Sequence, residues 1–205
     1  MQFRCSLVQS VRERLNRGGF VSLVFTDEEI EATFSTFFKN EPGWRTHDDE
    51  RAAALEWAEV LLRAHSLPQQ ELQKAADALL QYYDMHEPIT GMVDLLGELK
   101  ARGLRQAVVS NWPPSLPSFL EFHGLRSYFE SVVFSAEDGI GKPDQRIFHR
   151  ALRGMNLAPQ ETLFVGDSME ADVAGAAAAG MRSIHFDSRR HDVSELRKRI
   201  LDVML

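Results

Sequence analysis

From residue 88 to residue 186 the chain alternates short apolar runs with amphipathic stretches, and this alternation constrains the fold more than any other feature. Residues 107–109, 131–134, 163–165 and 182–186 have strand length and are rich in Val, Ile and Phe. Between and around them, residues 91–102 (closed by Gly103), part of 113–124, the stretch opened by Pro143-Asp144 and running to Met155, the small-residue segment 174–179 and the stretch from Val193 onward read as helices. Strands separated by helices run parallel, because a parallel neighbour needs a long crossover, and the helices then cover both faces of the sheet. The expected fold class is α/β, with a Rossmann-like, three-layer parallel-sheet core.

Three strand ends carry polar groups toward one crevice: Ser110-Asn111, Gly141-Lys142-Pro143, and Asp167 with Asp172. Open parallel sheets bind ligands outside the C-terminal ends of their strands. A site built from carboxylate oxygens suits Mg²⁺. Each group also has a plain structural explanation. Ser110 and Asn111 suit a turn before Pro113-Pro114. Lys142 precedes an Asp144-capped helix, and a carboxylate at a helix N-terminus stabilises it by about 0.3–1 kcal/mol without any metal. Their meeting at one end of one sheet favours the chemical explanation.

The order and spacing of Val-Val-Ser-Asn at 108–111, Gly-Lys-Pro-Asp at 141–144 and Gly-Asp-Ser-Met-Glu-Ala-Asp at 166–172 resemble the second, third and fourth motifs of the haloacid dehalogenase-like (HAD) superfamily. The resemblance implies a Mg²⁺-dependent phosphatase acting on a small phosphorylated molecule. It implies that Ser110 and Asn111 bind phosphoryl oxygens. Lys142 then supplies fixed positive charge to phosphate and nucleophile. Asp167 is implied as a catalytic metal ligand, and Asp172 as a further or water-mediated one that also positions Lys142.

Residues 11–86 are helical in pattern and are expected to form a small cap, after a remnant of the core at 1–10 and before the core proper at 87–205. Thr26 with Glu29 forms a capping box ahead of Ile30, Phe34, Phe37 and Phe38. Residues 52–64 form another amphipathic stretch, Leu67-Pro68 breaks it, and 70–83 form the next.

The family's first motif, an apolar strand ending in the nucleophilic Asp, has no clear counterpart. Aligning Ser6-Leu7-Val8 with the end of that motif places Gln2 at the nucleophile, Arg4 at the second Asp and Cys5 at the usual Gly. Glutamine cannot form an acyl phosphate, and loss of a nucleophile can cost roughly 10⁶ in turnover. A second candidate is the β-prone run 20–25, which would present Asp27. Three functional expectations follow: a phosphatase whose nucleophile lies outside this chain through a truncated or misassigned start; a catalytically inactive HAD-fold protein binding a phosphorylated ligand or a protein; and a haloacid dehalogenase, which needs the same Asp.

Composition narrows the partners. A formal net charge of −7 argues against a broad nucleic-acid footprint. The single cysteine, Cys5, excludes an internal disulfide and fits a reducing compartment. No apolar stretch reaches membrane-spanning length. Arg12, Glu13, Arg14 and Arg17 interrupt the first 25 residues, unlike a secretory signal. A cytoplasmic protein without membrane or nucleic-acid partners is expected. The histidines show no zinc-site spacing. Trp44, Trp57, Tyr82 and Tyr83 are expected to pack the helical region, and Trp112 is a candidate border of the substrate pocket.

Overall fold

The computed structural model describes residues 2–3, 7–23, 25–39, 45–65, 67–80 and 86–204, with backbone alone at 2, 3, 7, 8, 35–39, 64 and 86. Phe3–Glu87 and Pro88–Leu205 form two compact units.

Strand β1 (Gln2–Phe3) pairs with β2 (His86–Glu87), and the four helices of the first unit lie between them in sequence: α1 (Leu7–Arg17), α2 (Asp27–Lys39), α3 (His47–Leu62) and α4 (Gln69–Leu80). Capping boxes start two of them. Thr26 Oγ1 accepts the Glu29 N–H at 3.1 Å, while the Glu29 carboxylate accepts the Thr26 N–H at 2.7 Å. Thr46 and Asp49 do the same for α3. Apolar side chains at helical spacing close a common core of Val11, Leu15, Ile30, Trp57, Leu62 and Leu79. Trp57 packs edge-on against Phe34 and donates its indole N–H to Thr33 Oγ1 at 3.0 Å, a structural role. Trp44, Tyr82, Tyr83 and the side chains of Phe37 and Phe38 lie outside the described residues.

Two expectations about this region are corrected. Residues 20–25 do not form a strand over their described part. Phe20 and Phe25 both turn into the core around a turn that leaves Val21 72% exposed, which breaks the alternation a half-buried strand needs. Asp27 consequently sits in the first turn of α2, exposed and paired with Arg12 at 2.7 Å, rather than at a strand end. Leu7 and Val8 begin α1 instead of closing a strand. That helix is anchored by Val11 and Leu15 and by buried Arg14, whose guanidinium donates to the carbonyls of Ser10 and Leu79. Arg4, Cys5 and Ser6 lie outside the described residues.

The second unit follows the alternation of the sequence. Its elements are α5 (Met92–Ala101), β3 (Ala107–Ser110), α6 (Leu116–Phe122), β4 (Ser131–Phe134), α7 (Gln145–Met155), β5 (Leu163–Gly166), a π-helical turn (Met169–Ala174) running into α8 (Gly175–Ala178), β6 (Arg182–His185) and α9 (Val193–Met204). β3 pairs with β4 in parallel, Ala107 opposite Ser131. β5 pairs with β6 in parallel, Leu163 opposite Arg182. Alternate residues of β5 point to opposite faces. Leu163 and Val165 join Ile184, Leu95, Leu99, Leu196 and Ile200 on the side of α5 and α9. Phe164 joins Val109, Val133, Ile147, Phe148 and Ala151 on the side of α7. Helices therefore layer both faces, as expected.

The sheet itself departs from a single continuous array. Among the described residues the strands form two parallel pairs, and β3 and β5 each use one edge only. Every residue of β3 and of β5 is half-buried. Inner strands of a parallel sheet are ordinarily buried on both faces and paired on both edges. Both pairs nonetheless contribute to the apolar cluster around α7, so one helical layer spans them. No helix among the described residues is long and apolar enough to cross a membrane.

Candidate functional site

Three close approaches assemble the strand ends, and each depends on a glycine. Gly141 lies so near Asn111 that a Cβ would stand 2.8 Å from Asn111 Oδ1. Gly166 would drive a Cβ into the Asp172 carboxylate. Gly175 would meet the Phe148 ring at 2.9 Å and Pro143 Cα at 3.1 Å. The glycines let side chains from separate segments reach backbone that any larger residue would shield.

At the centre is Lys142. Its Nζ lies 2.5 Å from Asp172 Oδ1, with side chains 14% and 3% exposed. Asp172 Oδ2 accepts the Ser168 N–H at 2.9 Å, so both oxygens of this carboxylate are engaged. The ammonium also lies 5.6 Å from the centroid of the Phe164 ring, a favourable cation–π geometry. The Lys142–Pro143 peptide is cis. Asn111 grips the backbone of the same lysine: its Oδ1 accepts the Lys142 N–H at 2.6 Å and its Nδ2 donates to the Lys142 carbonyl at 3.0 Å. The amide expected to face a phosphoryl group is thus occupied in holding Lys142, and Asn111 is a positioning residue. Ser110 closes β3 immediately before it.

Asp167 follows β5 and is exposed. Its carbonyl lies 2.9 Å from His185 Nε2; since a carbonyl only accepts, that nitrogen carries the proton. Ser168 Oγ accepts the Ala171 N–H at 3.0 Å and caps the turn that carries Asp172. That turn is π-helical rather than α-helical, a local widening that recurs at functional sites. Asp144 caps α7, accepting the Arg146 N–H at 2.9 Å. The Arg146 side chain, with that N–H bond, holds the Asp144 carboxyl down to about 2. Trp112 packs on Phe119, 4.9 Å between centroids, and exchanges bonds with Ser135 Oγ through its backbone, a packing position. His185 and Gly175 were not singled out from sequence, and Gly141, Gly166 and Ser168 were named only as parts of motifs; the small-residue spacing Gly166–Gly175 is the signal of this close packing.

The fit to Mg²⁺ can be judged from these donors. Asp172 has both oxygens taken, which leaves Asp167 as the exposed carboxylate. Among the described residues no group of three His, Cys, Asp or Glu side chains is placed to hold a metal ion. Asp167 suits a hard cation, but the site needs at least one further oxygen ligand to be complete.

The sequence profile of the haloacid dehalogenase-like hydrolases matches residues 9–180. The human haloacid dehalogenase-like hydrolase domain-containing protein 3 is 39% identical over 134 residues, covering 62% of this chain and 53% of that protein. The phosphoserine phosphatase of Thermus thermophilus is 43% identical over 93 residues, covering 45% of this chain and 37% of that protein. This chain therefore spans about half, or less, of the length of these relatives. Among solved structures, the HAD hydrolase YfnB of Bacillus subtilis superposes with a TM-score of 0.69 over 95% of this chain and 92% of that one, at 18% identity. With its Ser-Asn, Lys-Pro and paired-Asp segments gathered at the ends of parallel strands, this chain belongs to the haloacid dehalogenase-like hydrolase family.

Proposed function

We propose that the chain is part of a Mg²⁺-dependent phosphatase acting on a small phosphorylated metabolite. We further propose that its nucleophilic carboxylate comes from a strand outside residues 1–205, seated between β3 and β5. The observation that carries the first half is Lys142: a largely buried ammonium, fixed at one end by Asp172 and along its backbone by Asn111, at the strand ends that also carry Ser110 and Asp167. A preorganised cation of this kind stabilises negative charge developing in a transition state without reorganisation at the moment of reaction. Ser110 adds a hydroxyl donor. Asp167 and the carboxylate of that strand would hold Mg²⁺, which would supply Lewis-acid stabilisation of phosphoryl charge. The phosphatase names of relatives, phosphoserine phosphatase and glyceraldehyde 3-phosphate phosphatase, support the reaction class. The single-edged pairing of β3 and β5 supports the position of the extra strand. The helical first unit fits the role of a cap.

A second proposal is a catalytically inactive HAD-fold protein that binds a phosphorylated ligand or a protein. It is favoured by the sequence alignment that sets Gln2 at the nucleophile position. Haloacid dehalogenase activity would need the same nucleophilic carboxylate, and the phosphatase names among the relatives favour phosphate instead. Turnover of p-nitrophenyl phosphate with Mg²⁺ separates the readings. The phosphatase proposal expects residues 1–205 to be no faster than their Asp167→Asn variant, and expects a form extended by the in-frame upstream sequence to show Mg²⁺-dependent turnover that Asp167→Asn abolishes. An extended form that binds phosphate without turnover supports the inactive protein. Turnover by residues 1–205 that Asp27→Asn removes refutes the upstream nucleophile.

A further inference from the structure

The loop after β6 carries positive charge that the site as described leaves unused. Parallel register sets Gly166 opposite His185, and the Phe186 N–H donates to the Gly166 carbonyl at 2.8 Å. Residues 187–191 therefore leave the sheet beside Asp167, and the His185 bond to the Asp167 carbonyl ties the two segments together. Buried Asp187 organises this loop. Its carbonyl accepts the N–H groups of Arg190 and His191, both at 2.9 Å. Its carboxylate accepts Arg189 N–H at 3.0 Å, Nε at 2.9 Å and Nη2 at 3.0 Å, with Arg190 Nε 3.7 Å away. Those contacts, led by the Arg189 guanidinium, hold the Asp187 carboxyl down to about 2, so it stays ionised near neutral pH. One carboxylate facing two guanidiniums leaves a positive charge over. Both arginines remain well exposed, at 84% and 78%, in a chain that is otherwise acidic, and the Asp167 charge is among those acting on Arg189.

We propose that Arg189 and Arg190 take a carboxylate carried by the substrate, so that the phosphorylated molecule handled at Asp167 and Lys142 has a second anionic end. The proposal rests on the phosphate reading of that site. A carboxylate fits better than a second phosphate because the surplus is a single charge, and planar guanidinium forks match planar carboxylates.

Titration calorimetry on the form extended by the in-frame upstream sequence, in Mg²⁺ with orthophosphate, glycerol 3-phosphate and 3-phosphoglycerate, tests it, the last two differing by the carboxylate. The expected result is that 3-phosphoglycerate binds about 10-fold tighter than glycerol 3-phosphate, as one charge-assisted hydrogen-bond pair provides. Arg189→Gln/Arg190→Gln should bring the ratio to within about 2-fold, while Arg189→Lys/Arg190→Lys should keep part of it. The single variant Arg190→Gln, whose side chain is loosely held, should lower the ratio even if the double variant does not fold. Equal affinity for the two esters beside clear orthophosphate binding overturns the carboxylate proposal and leaves the phosphate reading standing. An unchanged ratio in the glutamine variants also overturns it. Failure of all three ligands to bind overturns both.

Discussion

Gly166→Ala tests how the site is packed. Gly166 closes β5, and an added Cβ would overlap the Cβ, Cγ and Oδ2 atoms of Asp172. That carboxylate cannot swing aside at little cost, because Lys142 Nζ holds one oxygen and the Ser168 N–H holds the other. Relief requires either a shift of the π-helical turn or the loss of the ion pair. Overpacking a well-filled interior costs typically about 1–3 kcal/mol. Removing one partner from a buried ion pair costs about 3–5 kcal/mol. Lys142 retains some exposure and regains part of its hydration if released, so the two costs do not sum. We expect a destabilisation of about 2–4 kcal/mol. At about 2–4 °C per kcal/mol for a chain of this size, the melting temperature should fall by roughly 5–15 °C. Gly97→Ala is the contrasting case. Gly97 lies within α5, and its Cβ would meet only Tyr128 Cε1, at an ordinary 3.9 Å. There the gain in helix propensity, about 0.5–1 kcal/mol, should raise the melting temperature by a few degrees. Both are read by circular dichroism on heating. A Gly166→Ala protein melting within about 2 °C of the parent would refute the packing of Asp172 against β5.

Asp172→Ala should cost about 3–5 kcal/mol by leaving Lys142 without its counter-charge, and Asp172→Asn less; urea denaturation measures both. Asn111→Ala removes two bonds to the Lys142 backbone and should cost about 1–3 kcal/mol, with Asn111→Asp intermediate because it keeps the acceptor and loses the donor. Glu98 is held down to about 2, mainly by its hydrogen bond from Arg197 and also by Arg102. Its folded value lies below its ordinary 4.5, so the stabilisation it provides is fully present above pH 4.5 and is lost as pH falls toward 2. The carboxyl titration of Glu98, followed by NMR, should move up toward 4.5 in Arg197→Leu. An unmoved titration would show that Arg197 does not govern it.

Much of the second unit was legible before any coordinates. The runs ending at Val109, Phe134 and Val165 form strands within a residue of their expected bounds, because β-branched runs bracketed by turn residues have few other uses. Gly103 and Asp144 mark helix ends because their reasons are local: a left-handed φ of 81° for one and a side-chain cap for the other. The run 20–25 misled because apolar content alone does not distinguish a strand from a turn that plants two phenylalanines in a core. Asn111 misled in another way. Its neighbourhood in sequence suggests an outward amide, whereas its partner, Lys142, lies 31 residues on.

The division follows from the range of the forces involved. Sequence alone determined the alternation of strand and helix, the choice of Ser110, Lys142, Asp167 and Asp172 as candidate site residues, and the family resemblance, because periodicity, capping and motif spacing are local properties of the chain. Tertiary structure decided what each group does. It spends Asn111 on the Lys142 backbone, engages both oxygens of Asp172, divides the parallel strands into two pairs and ties His185 at the end of β6 to the Asp167 carbonyl. Those outcomes depend on which distant segments meet, and contact across 30 residues leaves no pattern in the segments themselves.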